Sequence, residues 1–177
     1  CKPLRSIIIA DGNSTYDSRS NCNAIIETAT NTLIAGCKNT IIPNGVTTIG
    51  KWAFYKCSSL TSITIPISVT NIEYKAFRDC DSLNTIYIKA TTPPSLDITD
   101  MYTTICSTCY IPCGTLAAYQ ASDWDGRVGT FVEETCENIV PDSTYCIFYT
   151  SYDGNIVNPE VYDTDIFNVF GANIISN

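Results

Sequence analysis

One short pattern recurs along the middle of the chain at a fixed interval. Cys57-Ser-Ser-Leu60-Thr-Ser-Ile63-Thr-Ile65 returns 23 residues later as Cys80-Asp-Ser-Leu83-Asn-Thr-Ile86-Tyr-Ile88. The same interval carries Pro43 to Pro66, Val46 to Val69, Ile49 to Ile72, Ala53 to Ala76 and Phe54 to Phe77. A fixed period of this length lays down one supersecondary unit after another. Each unit buries its apolar side only against its neighbours, so the chain is constrained to stack as a solenoid.

The frame runs on in both directions. Forward, Ile88 falls on Ile111, Tyr87 on Tyr110 and Leu83 on Cys106, although Thr91 to Thr104 has lost the Ala-Phe pair. Backward, Ile65 falls on Ile42, and Cys1 to Ile9 matches Cys57 to Ile65, which makes Cys1 a repeat position rather than a lipid anchor. From Ile9 to Ile42 is one period plus an insertion of ten residues. Within a coil, the Ile-x-Ile alternation predicts a short strand with Ile63 and Ile65 inward and Ser62 and Thr64 outward. The stretch through Ile49, Ala53, Phe54 and Cys57 predicts a short helical or 3-10 return.

Charge divides the chain near residue 120. Residues 1–119 carry nine Lys and Arg against eight Asp and Glu, whereas residues 120–177 carry Arg127 alone against ten acids. Neither part offers the basic stripe that a phosphate backbone requires, so nucleic acid is not an expected partner. No apolar run approaches the ~20 residues of a membrane-spanning helix. The sequence has no Met, charged n-region and apolar h-region at its start, so an export signal is expected outside this stretch.

The repeat unit as a whole carries a resemblance. Ile42-Pro-Asn-Gly-Val46-Thr-Thr-Ile49-Gly-Lys-Trp-Ala53-Phe54-Tyr-Lys-Cys57-Ser-Ser-Leu60-Thr-Ser-Ile63 resembles the BspA-like, treponemal-type leucine-rich repeat of bacterial surface proteins, in a form typical of Bacteroidales. The expected fold is an α/β leucine-rich-repeat solenoid of short parallel strands and helical or 3-10 returns, followed by a small β-rich segment. Residues 1–132 are expected to form the solenoid, with a hairpin insertion over about 10–35 and a helical cap over about 112–126. In that cap Leu116 and Tyr119 share a helix face and Trp124 plugs the end of the stack. Residues 133–177 are expected to be an acidic segment opening a following module, with strands at Tyr145 to Thr150 and Ile156-Val157 around an Asp153-Gly154 turn. Both ends then read as cuts within a longer array. The resemblance implies a secreted or cell-surface protein whose partner is a host or bacterial surface protein or a glycan.

Chemistry is sparse. The absence of histidine from all 177 residues removes His-dependent triads and His-metal sites. The close acid groupings, Asp79-Cys80-Asp81 and Glu133-Glu134, fall where solvated turns are expected, so no catalytic residue, metal or cofactor is assigned. Cys106-x-x-Cys109-x-x-x-Cys113 has a spacing that thiolate metal sites also use, and a disulfide is a further alternative. The frame places Cys106 and Cys109 inward, which favours core packing. Cys57 and Cys80 stack one coil apart with parallel side chains, leaving their Cβ atoms ~4.8 Å apart instead of the ~3.8 Å of a disulfide, so free thiols are expected. Cys22, Cys37, Cys136 and Cys146 are not paired by the sequence.

The outward strand positions predict a binding face of two ladders. One is Ile8, Ile41, Thr64, Tyr87 and Tyr110; the other is Ser6, Asn39, Ser62, Thr85 and Thr108. Small hydroxyls beside two tyrosines suit a protein or glycan surface. The function expected is an extracellular binding or adhesion module rather than an enzyme; the alternative is a spacer that displays other domains and has no ligand of its own.

Overall fold

Each regular 23-residue coil between Pro43 and Ile111 contains two β-forming stretches joined by turns, and both stretches pair with counterparts in adjacent coils. The structure, a computed structural model, describes residues 4–97 and 105–136. Its elements are β1 (Tyr16–Asp17), β2 (Ala24–Glu27), β3 (Thr32–Gly36), β4 (Thr48–Ile49), β5 (Ser62–Ile65), β6 (Asn71–Ile72), β7 (Thr85–Ile88), β8 (Ser95–Leu96), β9 (Cys106–Ile111), α1 (Leu116–Gln120) and β10 (Val128–Glu133), with a 3-10 turn over Arg19–Asn21.

The longer strands form a parallel sheet in the order β10-β9-β7-β5. Its register keeps the repeat frame, with Ile63 opposite Ile86, Ile86 opposite Cys109, Thr64 opposite Tyr87 and Tyr87 opposite Tyr110. The period-2 alternation therefore sends Ile63, Ile65, Ile86, Ile88, Cys109 and Ile111 into the core as one continuous apolar layer. Each fully buried Ile contributes on the order of 1.5–3 kcal/mol by leaving water.

A second sheet, in the order β1-β2-β3-β4-β6-β8, lines another side of the coils. Its parallel part is built from two-residue strands, with Thr48 opposite Asn71 and Ile49 opposite Ile72. The insertion supplies an antiparallel hairpin, β2 against β3, and β3 then pairs parallel to β4 through Leu33 opposite Ile49. The inserted chain thus re-enters the stack by contributing a strand to it. Beside the hairpin, Arg19 donates to both carboxylate oxygens of Asp17 and holds its pKa below the usual carboxylate value.

The returns keep the three-residue bonding of the 3-10 alternative, as chains of turns rather than continuous helices. Ala53 N–H donates to Gly50 C=O at 3.1 Å, Tyr55 to Trp52 at 3.0 Å and Cys57 to Phe54 at 3.0 Å, a spacing of three residues. Left-handed residues interrupt the run: Trp52 (φ 64°), Lys56 (φ 57°), Lys75 (φ 55°) and Asp79 (φ 58°). Alternate N–H groups instead point to the next coil, from Trp52 to Tyr74 C=O (3.2 Å), Phe54 to Ala76 (2.8 Å) and Lys56 to Arg78 (3.0 Å). A helix would satisfy these donors internally. The turn chain uses them to bind coil to coil, and it seats Phe54 on Phe77 with ring centroids 5.2 Å apart. Gly36 belongs to the same packing, because a Cβ there would overlap the Phe54 ring.

The far end of the stack is closed by α1 and the residues after it. α1 spans only five residues within the stretch of about 112–126 where the helical cap is expected. Tyr119 and Trp124 are fully buried, and their polar atoms are matched to carbonyls of the preceding coil: Tyr119 O–H donates to Ala90 C=O at 2.7 Å and Trp124 Nε1–H to Pro94 C=O at 2.9 Å. The chain then adds β10, a strand that the repeat frame does not predict. A disulfide joins Cys113 to Cys136, 23 residues apart with Cα atoms at 5.1 Å. For Cys113 it is the disulfide, among the alternatives of core packing, metal and disulfide, that forms, a covalent tie between successive coils. The expected strands at Tyr145 to Thr150 and Ile156-Val157, with Cys1, Cys146 and the acidic segment beyond Cys136, lie outside the described residues.

Candidate binding face

The outward face of the four-stranded sheet collects Ser62 and Thr64 from β5, Thr85 and Tyr87 from β7, and Thr108 and Tyr110 from β9, side by side in register. The Tyr87 and Tyr110 rings stack with centroids 4.8 Å apart and planes inclined by 16°. That separation equals the spacing of neighbouring strands, so the backbone register sets the stack. β10 extends both ladders, placing Thr130 beside Thr108 and Val132 beside Tyr110. The sequence pattern does not reveal these two positions directly. The signal that could have found them is the interval from Cys113 to Cys136, which equals the period and announces another coil.

The other predicted members fall elsewhere. Ser6, Ile8, Asn39 and Ile41 lie in segments without strand pairing, and the sheet ends at β5. Asn39 Nδ2 donates to Arg5 C=O at 3.0 Å, and Ile41 N–H donates to Cys22 C=O at 3.0 Å. These bonds tie Asn39 to the N-terminal segment and Ile41 to the base of the insertion, outside the sheet. Ile8 and Ile41 are left 81% and 73% exposed.

The face is uncharged. Ser62, Thr64, Thr85, Tyr87, Thr108, Tyr110, Thr130 and Val132 present hydroxyls and two aromatic rings without an acid or a base. Charged groups stand at its border and are engaged there: Lys89 pairs with Glu134, and Glu133 accepts the Leu116 N–H at 2.8 Å.

Nucleophilic chemistry is suppressed on the inner side of the same strands. Burial pushes the Cys106 thiol up to about 11 and the Cys109 thiol up to about 12, so neither forms thiolate near neutral pH. Cys80 is likewise pushed up to about 12 by burial, with its Sγ donating to Phe54 C=O at 3.0 Å. Among the described residues no three His, Cys, Asp or Glu side chains converge in a way that could hold a metal ion. Among them, too, no helix is long and apolar enough to cross a membrane.

Stacked 23-residue coils with one sheet of four- to six-residue parallel strands define a leucine-rich-repeat protein. Residues 31–113 match the BspA type leucine-rich repeat region in six copies. No curated protein matches the chain. A crystal structure of a leucine-rich repeat protein from Bacteroides capillosus is similar at 18% identity, covering 70% of this chain and 96% of that one with a TM-score of 0.35.

Proposed function

We propose that the chain is an extracellular, non-enzymatic binding module of a bacterial surface protein, and that the uncharged face of the four-stranded sheet engages a host or bacterial surface protein or glycan in adhesion. The observation that carries this reading is the stacked Tyr87–Tyr110 pair standing among exposed hydroxyls on a rigid sheet. Tyrosine supplies large contact area with little rotamer entropy to lose, and hydroxyls supply hydrogen bonds without the desolvation cost of charge. The Cys113–Cys136 disulfide supports export, because such bonds persist in oxidising compartments. Buried thiols and a sequence without histidine supply no evident catalytic group.

The test is a binding screen of the isolated protein against immobilised matrix proteins, bacterial cells and glycans, repeated with a Tyr87→Ala/Tyr110→Ala variant. Both side chains point away from the core, so the variant should keep its melting temperature within a few degrees. Loss of two aromatic anchors should weaken binding by at least about tenfold. A captured ligand that binds the variant equally well would remove this face, and a screen without any ligand would favour the spacer.

A further inference from the structure

A second cluster lies away from the sheet, on the ridge formed by the turns of two successive coils. Repeat positions 51 and 52 are Lys and Trp, while the equivalent positions 74 and 75 are Tyr and Lys. Stacking the coils therefore sets each cation against an aromatic of its neighbour. Lys51 Nζ lies 5.1 Å from the Tyr74 centroid, and Lys75 Nζ lies 5.3 Å from that of Trp52 and 4.4 Å from that of Tyr74. Tyr55 and Lys56 extend the pattern, with Lys56 Nζ 5.1 Å from the Tyr55 centroid and the Trp52 and Tyr55 rings meeting edge to face at 4.7 Å.

Two features set this ridge apart from an ordinary solvated surface. Trp52, Lys56 and Lys75 occupy left-handed backbone positions, where glycine or asparagine is the unstrained choice, yet the sequence keeps large side chains there. The turn Lys51 to Cys57 also carries two lysines and no acid, in a chain of net charge -8.

We propose that this ridge is a binding site for an acidic polysaccharide, one bearing isolated carboxylates on pyranose rings. The rings hold the ammonium groups in place, so little side-chain freedom is lost when an anion arrives. Tyr55, 41% exposed, offers an aromatic surface to the apolar face of a sugar beside those charges. Acids border the ridge and set the charge density it accepts: Asp79 pairs with Arg78 at 3.7 Å, and Glu73 accepts the Lys51 N–H at 3.0 Å. They repel a densely charged strand such as a nucleic acid or a heavily sulfated polymer, while their oxygens can accept sugar hydroxyls.

Affinity electrophoresis in gels containing polygalacturonate, dextran or dextran sulfate tests the assignment. Retardation by polygalacturonate is expected, falling with added salt, with none by dextran and less by dextran sulfate. Lys51→Gln/Lys56→Gln should weaken the retardation by about tenfold and Tyr55→Ala by a smaller factor. All three side chains are exposed, and a thermal melt confirms that the variants fold. Tyr87→Ala/Tyr110→Ala should leave polygalacturonate binding unchanged, which separates this site from the sheet face. Absence of retardation, equal retardation of the lysine variant, or stronger retardation by dextran sulfate would overturn the proposal.

Discussion

The two sides of each coil reach the same end, a polar backbone paired from coil to coil, by different routes. On the four-stranded sheet the pairing comes from strands such as Ser62–Ile65 and Thr85–Ile88, whose strict alternation sorts side chains into core and surface. On the turn side it comes from every second N–H from Trp52 to Lys56, the first and last of these donors being left-handed. The sheet costs nothing in backbone strain. The turn side places large side chains in a conformation that costs on the order of 1–2 kcal/mol per residue. Regular strands thus give a flat and chemically plain surface, whereas strained turns give a ridge whose side chains are individually aimed.

If both sides hold the stack together, deleting a core side chain from either should be severe. Phe54→Ala removes a fully buried ring stacked on Phe77 and should cost about 3–5 kcal/mol, while Ile86→Ala on the sheet should cost about 2–5 kcal/mol. Urea unfolding measures both. A Phe54→Ala loss below ~1 kcal/mol would show that the turn side is only draped over a core made by the sheet.

The difference between the sides also decides what is legible in the sequence. The sheet can be read because Ile63, Ile65, Ile86 and Ile88 repeat with period 2 inside period 23. The returns can be read only in part: Ile49, Ala53 and Phe54 fit a helical or 3-10 spacing, and the left-handed conformations of Trp52 and Lys56 are what break the run into turns. Those conformations are imposed by pairing with the adjacent coil, a tertiary effect that local propensity does not contain. Of the predicted face, Ser62, Thr64, Thr85, Tyr87 and Tyr110 come together on the sheet. Ile8, Asn39 and Ile41 do not: they lie in segments without strand pairing, and Ile41 N–H bonds instead to Cys22 C=O at the base of the insertion.

The Cys113–Cys136 bond is the next largest lever, because it ties the sheet's last strand to the coil before it. Closing a loop of this length is worth about 3 kcal/mol in the chain-entropy view. Reduction, or a Cys113→Ser/Cys136→Ser variant, should lower the melting temperature and speed amide exchange in β10, leaving β5 and β7 protected. The six free cysteines among the described residues provide a control: Cys80, Cys106 and Cys109 should resist alkylation until the chain unfolds. Equal exchange in β5 and β10 after reduction would show that the sheet opens as one unit.

The smallest expected effect isolates the strain itself. At Trp52, substitution by Ala takes away the indole ring but keeps a Cβ in the left-handed region. With the ring go its attraction to the Lys75 cation, worth about 0.5–1 kcal/mol at an exposed site, and its edge-to-face packing on Tyr55 and Tyr74. Asparagine forgoes the same interactions but tolerates the left-handed conformation, because its short side chain can bond to the local backbone. Trp52→Asn should therefore be more stable than Trp52→Ala by about 0.5–1 kcal/mol, although both are less stable than the parent. The same pair of substitutions at Thr64, on the sheet, should reverse the order, since asparagine is depleted from strands. Equal stabilities at Trp52 would mean that the turn adapts its backbone to whatever side chain it carries. The aimed ridge would then owe its geometry to the aromatic and lysine side chains alone.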